Sequence, residues 1–91
     1  MFKTLEELIA VIRQRKESPT KESYTKKLLN NKKLSVEKVK EEITELIDAI
    51  EKNTNKIHET ADVLYHLMVL LEANDIKIED VMGELKKRQK K

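Results

Sequence analysis

The chain contains no cysteine and no tryptophan, and it has only one glycine and one proline among its 91 residues. Without cysteine, neither a disulfide framework nor a thiolate site can form. The scarcity of glycine and proline leaves little turn chemistry for β-hairpins and favours helices. Aromatic residues make up 3% of the chain, so there are almost no rings on which the bases of a nucleic acid strand could stack.

Charge and hydropathy exclude further classes of protein. Charged residues make up 40% of the chain, yet the net charge is only +2, and a general nucleic-acid binder usually has a clear basic excess. The longest apolar run is too short to cross a bilayer. Residues 2–12 carry Lys3, Glu6 and Glu7, so they do not resemble a signal peptide. We therefore expect one cytoplasmic domain, residues 1–91, that binds neither nucleic acid nor membrane.

Apolar periodicity and capping residues predict helices throughout. Thr4 with Glu7 forms a candidate capping box for the first helix, and Ser35 is a candidate N-cap for the third. Asn53, Thr54 and Asn55 mark a turn. The predicted helices span residues 5–15, 21–29, 35–52, 56–73 and 79–89.

The loops between the long helices are short, which favours antiparallel neighbours in a bundle. Apolar residues line one side of the first, third and last helices, whereas the helix over 56–73 is apolar nearly all round. That helix has more apolar surface than one small bundle needs to cover, so we expect an all-α bundle of four to five helices completed by homo-oligomerisation. The apolar residues of the three one-sided helices are Leu5, Leu8, Ile9 and Ile12, then Val36, Val39, Ile43, Leu46, Ile47 and Ile50, then Val81, Met82 and Leu85.

Acidic residues form two short clusters on the two longest helices. Glu41, Glu42 and Glu45 have the spacing E-E-x-x-E, and Glu59 and Asp62 follow with the spacing E-x-x-D. Carboxylates on facing helices that lie ~6 Å apart repel one another by roughly 3 kcal/mol at an effective dielectric of 20. Such an oxygen-rich group suits a hard divalent cation. For the first cluster alone, a solvated acidic face is the alternative.

The second cluster is the more specific signal, because Asp62 interrupts an apolar run. Burying an ionised carboxylate costs several kcal/mol, so the group must be paired, protonated or bound to a metal. Glu59, Asp62 and His66 fall within an arc of about 60° on a helical wheel and would project from one side of the helix. A histidine in that position is more often a hydrogen-bonded neighbour of a site than a ligand. His58 is predicted to lie on the surface.

These motifs resemble those of the all-α nucleotide pyrophosphohydrolases of the MazG type. Within that superfamily the chain is most similar to the phosphoribosyl-ATP pyrophosphohydrolase family, which acts in histidine biosynthesis. The similarity covers nearly the whole chain, although Lys40 and Ile43 replace the glycine and alanine that flank the paired glutamates in the family. The segments that carry the similarity are Ser23-Tyr24-Thr25 with Lys27-Leu28-Leu29, Lys38 with Glu41-Glu42, Glu59-x-Ala61-Asp62-x-x-Tyr65-His66, and Glu84-Leu85 with Arg88.

The resemblance implies Mg²⁺-dependent hydrolysis of phosphoribosyl-ATP to phosphoribosyl-AMP and pyrophosphate. Glu42, Glu45, Glu59 and Asp62 would then hold the metal, and Glu41 would ligate it or orient the attacking water. Lys38 could contact phosphate or simply pair with Glu42 one turn away. The other candidate substrate-binding residues are Lys26, Lys27, Ser23, Tyr24 and His66.

Two alternatives stay open at this point. A house-cleaning enzyme that hydrolyses other nucleoside or deoxynucleoside triphosphates would use the same acidic residues. A non-catalytic helical interaction module would instead leave those acids solvated and unaffected by Mg²⁺. Assays with a panel of substrates distinguish the house-cleaning enzyme from a phosphoribosyl-ATP pyrophosphohydrolase. A stability shift on addition of Mg²⁺ and nucleotide distinguishes either enzyme from the interaction module.

Overall fold

The protein forms five α-helices in a computed structural model that describes residues 1–18 and 23–89. The residues described contain no β-strand, so the predicted all-α class is confirmed. Within the same residues, no helix is both long and apolar enough to cross a membrane. The helices are α1 (Lys3–Glu17), α2 (Tyr24–Leu29), α3 (Lys32–Lys52), α4 (Lys56–Ala73) and α5 (Ile78–Arg88).

The start of α1 differs from the sequence prediction. The helix begins at Lys3, and Phe2 occupies the N-cap position without any side-chain capping bond. The predicted capping box of Thr4 and Glu7 is therefore wrong, because Thr4 already lies inside the first turn. The predicted start of α2 at residue 21 lies outside the described residues, and the first helical residue described is Tyr24, after the N-cap Ser23.

The N-cap of α3 is Asn31, not the predicted Ser35. The Asn31 side-chain oxygen accepts a hydrogen bond from the backbone N–H of Leu34 at 3.0 Å, which satisfies one of the free donors of the first turn. Ser35 lies one turn inside the helix and is buried, and its hydroxyl donates to the carbonyl oxygen of Leu28 at 2.6 Å. The serine therefore fastens α3 to the end of α2.

The connection between α3 and α4 is the predicted turn of Asn53, Thr54 and Asn55. Asn53 and Asn55 have positive φ angles of 57° and 41°, a left-handed region that asparagine tolerates better than most residues. The N–H of Thr54 donates to the carbonyl of Ala49 at 2.9 Å and closes the end of α3. The chain then reverses into α4, whose predicted bounds are confirmed.

The hydrophobic core lies between α1, α2 and the second half of α4. Ile12, Leu28 and Val69 are the best buried apolar side chains, each at most 1% exposed. As predicted, Leu5, Leu8, Ile9 and Ile12 of α1 all face this core. The other members of the cluster are Leu29, Met68 and Ala73.

The face that α3 buries is not its most apolar one. Its buried residues are Ser35, Val39, Glu42 and Ala49, whose spacing of three, four and seven residues is that of a helix-packing seam. Most of the predicted apolar stripe is exposed instead, with Ile47 at 52% and other members at 39–56%. The rotation turns Glu42 inward and leaves a row of apolar side chains uncovered on α3.

Helix α5 is attached only lightly to the rest of the protomer. It contains no buried residue; Met82 and Leu85 are about half exposed, at 50% and 45%. The prediction that Val81, Met82 and Leu85 are buried is therefore wrong within one protomer, where Val81 is only partly covered. The helix packs through Ile78 at its first turn, which touches the core cluster.

Candidate active site

The acidic cluster of α3 converges as its spacing predicts. One carboxylate oxygen from each of Glu41, Glu42 and Glu45 lies within 4.8 Å of the others. Glu42 is 8% exposed, whereas Glu41 and Glu45 are exposed. The cluster therefore has one buried member between α3 and α4 and two members that solvent can reach.

The cluster of α4 includes a residue that the sequence reasoning placed on the surface. Oxygens of Glu59 and Asp62 and a ring nitrogen of His58 all lie within 4.8 Å of one another. The His58 side chain is 73% exposed, as predicted, but its Nε2 atom is 3.4 Å from Oδ2 of Asp62. The four-residue spacing of His58 and Asp62 on a helix was a signal that could have identified this contact.

The two clusters influence one another through Glu42. Burial raises the pKa of the Glu42 carboxyl, and the negative charge of Glu45 raises that pKa further. Asp62 on α4 adds to the upward shift of the Glu42 pKa, while His66 opposes it. The charge of Asp62 on α4 therefore acts on the α3 cluster through Glu42.

An unsatisfied oxygen lies in the same region. Oε1 of Glu59 is buried and has no hydrogen-bond partner among the residues that the structure describes. A buried acceptor without a protein partner is rare in a native protein, and binding of an ion or a water molecule is one way to satisfy it. Together with the shifted pKa of Glu42, this orphaned oxygen fits a site for a hard divalent cation with carboxylate ligands. His58 would add a nitrogen at the exposed edge of that site.

His66 connects the acidic helix to α2. Its Nδ1 atom lies 2.9 Å from the backbone carbonyl oxygen of Asp62, and its Nε2 atom lies 3.0 Å from the hydroxyl of Tyr24. The imidazole is buried, at 9% exposure. Both ring nitrogens are thus engaged inside the protein. The prediction that His66 is a hydrogen-bonded neighbour of the site matches this geometry.

A second hydroxyl contact lies beside the first. Thr25 Oγ1 and the Tyr65 hydroxyl are 2.5 Å apart, so two consecutive residues of α2 bond to two consecutive residues of α4. Sequence reasoning did not single out Tyr65 as a site residue, and no spacing rule links it to Thr25 forty positions earlier. Helix α2 has only six residues, too few to be stable alone, so these bonds help to define where it lies.

The predicted phosphate-binding lysines differ in their surroundings. The Lys26 ammonium donates to the backbone carbonyl of Ser18 at 2.5 Å and to that of Lys16 at 3.3 Å, at the carboxyl end of α1. It therefore satisfies free carbonyls and complements the helix dipole. Lys38 lies 3.5 Å from Glu41, not from the Glu42 partner that helical spacing suggested. Lys27 is exposed.

Four of the predicted substrate-binding residues line one concavity. The cavity has a volume of about 660 Å³ and opens at the amino-terminal end of α3. Ser23 lines it but also caps α2, because its Oγ accepts a hydrogen bond from the Lys26 backbone N–H at 3.1 Å. Lys38 and His66 do not line this cavity. Its lining consists of Ser23, Tyr24, Lys26, Lys27, Asn30 and Asn31.

Comparison with known proteins identifies relatives that match the chain nearly end to end. A phosphoribosyl-ATP pyrophosphatase of Clostridium novyi is 46% identical over 91 residues, covering 96% of this chain and 82% of the relative. One from Methanocella arvoryzae is 42% identical over 95 residues, covering 99% of this chain and all of the relative. A histidine biosynthesis bifunctional protein of Pyrococcus furiosus is 46% identical over 87 residues, but this chain spans only 41% of its length.

The family model described as phosphoribosyl-ATP pyrophosphohydrolase matches residues 5–89. That match includes both acidic clusters, α2 and the whole of the α3–α4 hairpin. The predicted membership and the predicted enzyme class, a hydrolase of a phosphoric anhydride, are confirmed. With its two acidic helices facing each other and its sequence matched over this length, the chain belongs to the phosphoribosyl-ATP pyrophosphohydrolase family.

Proposed function

We propose that this chain hydrolyses phosphoribosyl-ATP to phosphoribosyl-AMP and pyrophosphate with Mg²⁺, in the cytoplasm, as a step of histidine biosynthesis. Family membership and the names of the relatives support the substrate. The observation that carries the proposal is the position of Glu42, which is buried beside Glu45 and within electrostatic reach of Asp62. A buried carboxylate next to two other carboxylates is stabilised by a divalent cation, and the same cation can neutralise the charge of a polyphosphate.

Glu42, Glu45, Glu59 and Asp62 are the proposed metal ligands. All four belong to the two clusters described above, and Oε1 of Glu59 lacks any other partner among the described residues. When bound, Mg²⁺ would neutralise phosphate charge and polarise a phosphoryl oxygen. The contribution of the chain is to hold the four carboxylates on two long helices, so that their spacing is fixed before substrate arrives.

Glu41 is proposed to orient the attacking water. Its side chain is 54% exposed and lies beside the α3 carboxylates without being buried among them. From that position it can accept a hydrogen bond from a water molecule and take its proton as that water attacks phosphorus. Lys38, 3.5 Å from the Glu41 carboxylate, would balance its charge and could also contact the polyphosphate.

The remaining proposed contacts lie on α2. Ser23 and Lys27 line the cavity of about 660 Å³ and can offer a hydroxyl and an ammonium group to phosphate or ribose oxygens. Lys26 holds the end of α1 through two carbonyl bonds, so its proposed role at the substrate is secondary to a structural one. His66 acts by fixing Tyr24 rather than by reaching substrate with a free nitrogen.

A homodimer or higher homo-oligomer is also part of the proposal. Exposed apolar residues occur on α3 and also on α4, where Ile57 is 88% exposed and Leu64 is 41% exposed. A row of uncovered aliphatic side chains on a long helical hairpin is typical of a helix-packing interface. A second copy that packs on this row would cover the apolar surface that one protomer leaves open.

The test is turnover of synthesised phosphoribosyl-ATP with Mg²⁺, with products identified by mass. The expected products are phosphoribosyl-AMP and pyrophosphate, and omission of Mg²⁺ should abolish their release. Glu45→Gln and Asp62→Asn should each remove activity while the helical circular dichroism spectrum is unchanged. Normal turnover by either variant would show that the carboxylates are wrongly assigned.

The same assay decides between substrates. Run beside the common ribo- and deoxyribonucleoside triphosphates, phosphoribosyl-ATP should give the highest kcat/KM. A preference for a deoxyribonucleoside triphosphate would assign the chain a house-cleaning role instead. If neither Mg²⁺ nor any nucleotide raises the thermal unfolding midpoint, the chain is an interaction module and the catalytic proposal fails.

A further inference from the structure

Both tyrosines of the chain lie beside the acidic site. The sequence has two tyrosines and no tryptophan, and both tyrosines meet at the contact of α2 with α4. The rings of Tyr24 and Tyr65 are stacked, with centroids 6.4 Å apart and an interplanar angle of 18°. His66 meets both tyrosines edge-on, with centroid distances of 5.8 Å and 4.9 Å. A chain with so few aromatic residues thus has a three-ring cluster one helical turn from Asp62.

The hydroxyl of Tyr24 is engaged by His66. A backbone carbonyl can only accept, so the contact between His66 and the Asp62 carbonyl requires a proton on Nδ1. The Tyr24 hydroxyl lies 3.0 Å from Nε2 of the same ring, within hydrogen-bond distance. Because the hydroxyl of Tyr24 is already bonded to His66 inside the protein, the part of Tyr24 that is free to contact a ligand is its ring.

Part of that ring is open to solvent. Tyr24 is 48% exposed, while Tyr65 beneath it is only partly exposed. The Tyr65 ring stacks on one side of the Tyr24 ring, so a ligand that stacks on Tyr24 would approach from the other side. Tyr24 also forms a wall of the cavity of about 660 Å³, whose other lining residues are polar. That volume falls within the range of small-molecule sites, about 300–1,000 Å³.

The ring also lies near the groups that would hold a polyphosphate. The pKa of Tyr24 is raised, first by burial, and the positive charge of Lys38 counteracts this. Glu42 and Glu41 are close enough to raise the same pKa. A nucleotide whose phosphates lie at the acidic clusters therefore has the Tyr24 ring in its neighbourhood. Its base is the one part that an aromatic face can bind well.

We infer that Tyr24 is a base-stacking residue, whose exposed ring face binds the purine base of the nucleotide while the polar cavity beside it receives the attached sugar. The inference rests on the proposed function for the position of the phosphates. Tyr65 supports the ring from behind, and His66 fixes its orientation through the hydroxyl. The contribution of Tyr24 to binding is thus the ring itself and not the hydroxyl group.

Two substitutions at Tyr24 distinguish the role of its ring from that of its hydroxyl. Tyr24→Leu removes the ring, and Tyr24→Phe removes only the hydroxyl and serves as the matched control. Loss of one base–aromatic stack should raise KM for phosphoribosyl-ATP by about 5- to 150-fold in Tyr24→Leu, with kcat changed much less. Tyr24→Phe keeps the ring and loses only the bond that orients it, so its KM should rise much less than that of Tyr24→Leu. If the two variants are equally impaired, or neither is impaired, the stacking role is wrong.

A binding experiment isolates the base from the phosphates and does not depend on turnover. Isothermal titration with ATP and with inorganic tripolyphosphate, each in excess Mg²⁺, compares a ligand that has a base with one that has none. Tyr24→Leu should weaken ATP binding by the same factor as KM and leave tripolyphosphate binding unchanged. Equal weakening of both ligands would mean that Tyr24 acts on the phosphates or on the fold, and would overturn the inference.

The two proposals can fail separately. If wild type does not hydrolyse phosphoribosyl-ATP, yet Tyr24→Leu selectively weakens ATP binding, the proposed reaction is wrong and the stacking role stands. If wild type hydrolyses it and Tyr24→Leu behaves as wild type, only the stacking role is wrong. Circular dichroism melting checks that each variant folds. Tyr24→Met provides a second ringless side chain in case the leucine variant unfolds.

Discussion

Arg13 and Glu79 form a two-point ion pair that connects α1 to α5, with nitrogen–oxygen distances of 2.9 Å and 2.7 Å. The Nε atom of Arg13 also donates to Glu72 of α4 at 2.9 Å, so one guanidinium joins three helices. The hydrogen bond from Arg13 is the main reason why the pKa of Glu79 falls from its usual 4.5 to about 2. Since α5 contains no buried side chain, this pair is a principal attachment of that helix.

The Arg13–Glu79 pair predicts a pH-dependent difference between wild type and Glu79→Gln. The folded-state pKa is lower than the unfolded one, so the carboxylate stabilises the fold above pH 4.5 and loses this effect as the pH falls towards 2. Glu79→Gln should melt at a lower temperature than wild type at pH 7, and the gap should close between pH 4.5 and 2. Thermal unfolding followed by circular dichroism measures both midpoints.

Glu84→Gln is the matched control for this comparison. Glu84 lies on the same helix and pairs at 3.1 Å with Arg88, four residues along α5 itself. Surface pairs of that kind contribute little, about 0.3–0.5 kcal/mol, so its midpoint should stay near that of wild type at every pH. A gap for Glu79→Gln that persists undiminished at pH 2 would mean that the helix is held by something other than this charge.

Sequence periodicity predicted the helices well and their faces less well. The bounds of α4 and the asparagine turn before it follow from local chemistry, so a single sequence is sufficient to find them. The orientation of α3 depends on a partner surface that periodicity does not contain. Apolar spacing identified Ile43, Ile47 and Ile50 as one stripe, but packing on α4 buries Glu42 instead and leaves those three exposed.

In the candidate site too, contacts within one helix follow from the sequence, whereas contacts between distant parts of the chain do not. Carboxylate spacing on two helices was enough to select Glu42 and Asp62, because residues on one helix keep a fixed angular relationship. The bond between Tyr24 and His66 joins positions 42 residues apart, and no local pattern encodes it. The charge of Lys26 predicts a phosphate contact, and only the folded chain reveals that its ammonium group caps α1.

Neighbouring lysines on α2 are predicted to have different roles. Lys26→Met removes the bonds to the carbonyls of Ser18 and Lys16, so it should lower stability by about 1 kcal/mol. The KM of Lys26→Met for phosphoribosyl-ATP should stay within a few-fold of wild type. Lys27→Met should show the reverse pattern, with an unchanged melting temperature and a KM raised about tenfold, as expected for loss of one ammonium–phosphate contact. Thermal melts and steady-state kinetics on both variants test this, and an exchange of the two phenotypes would contradict the assignment.

Removal of the buried carboxylate should stabilise the metal-free protein. The charge of Glu42 is disfavoured by burial and by Glu45 and Asp62. Glu42→Gln should therefore raise the free energy of unfolding at pH 7 in EDTA by roughly 1–3 kcal/mol, the order of magnitude of the repulsion between like charges near a protein surface. Addition of Mg²⁺ at about 10 mM should stabilise wild type more than the variant. Denaturant unfolding with and without the metal gives both quantities.

The apolar row on α3 predicts assembly through that face. Ile47 is 52% exposed near the middle of the row, so Ile47→Lys would place a charge where a second copy is proposed to pack. Burying an unpaired ammonium costs several kcal/mol, enough to dissociate a dimer of micromolar affinity. Light scattering coupled to size exclusion should report a dimer or larger species for wild type and a monomer for the variant.

Val11→Lys on α1, where the native side chain is 44% exposed and lies outside the row, should leave the mass unchanged. A monomeric wild type, or an Ile47→Lys variant of full oligomeric mass, would show that another face or no face mediates assembly.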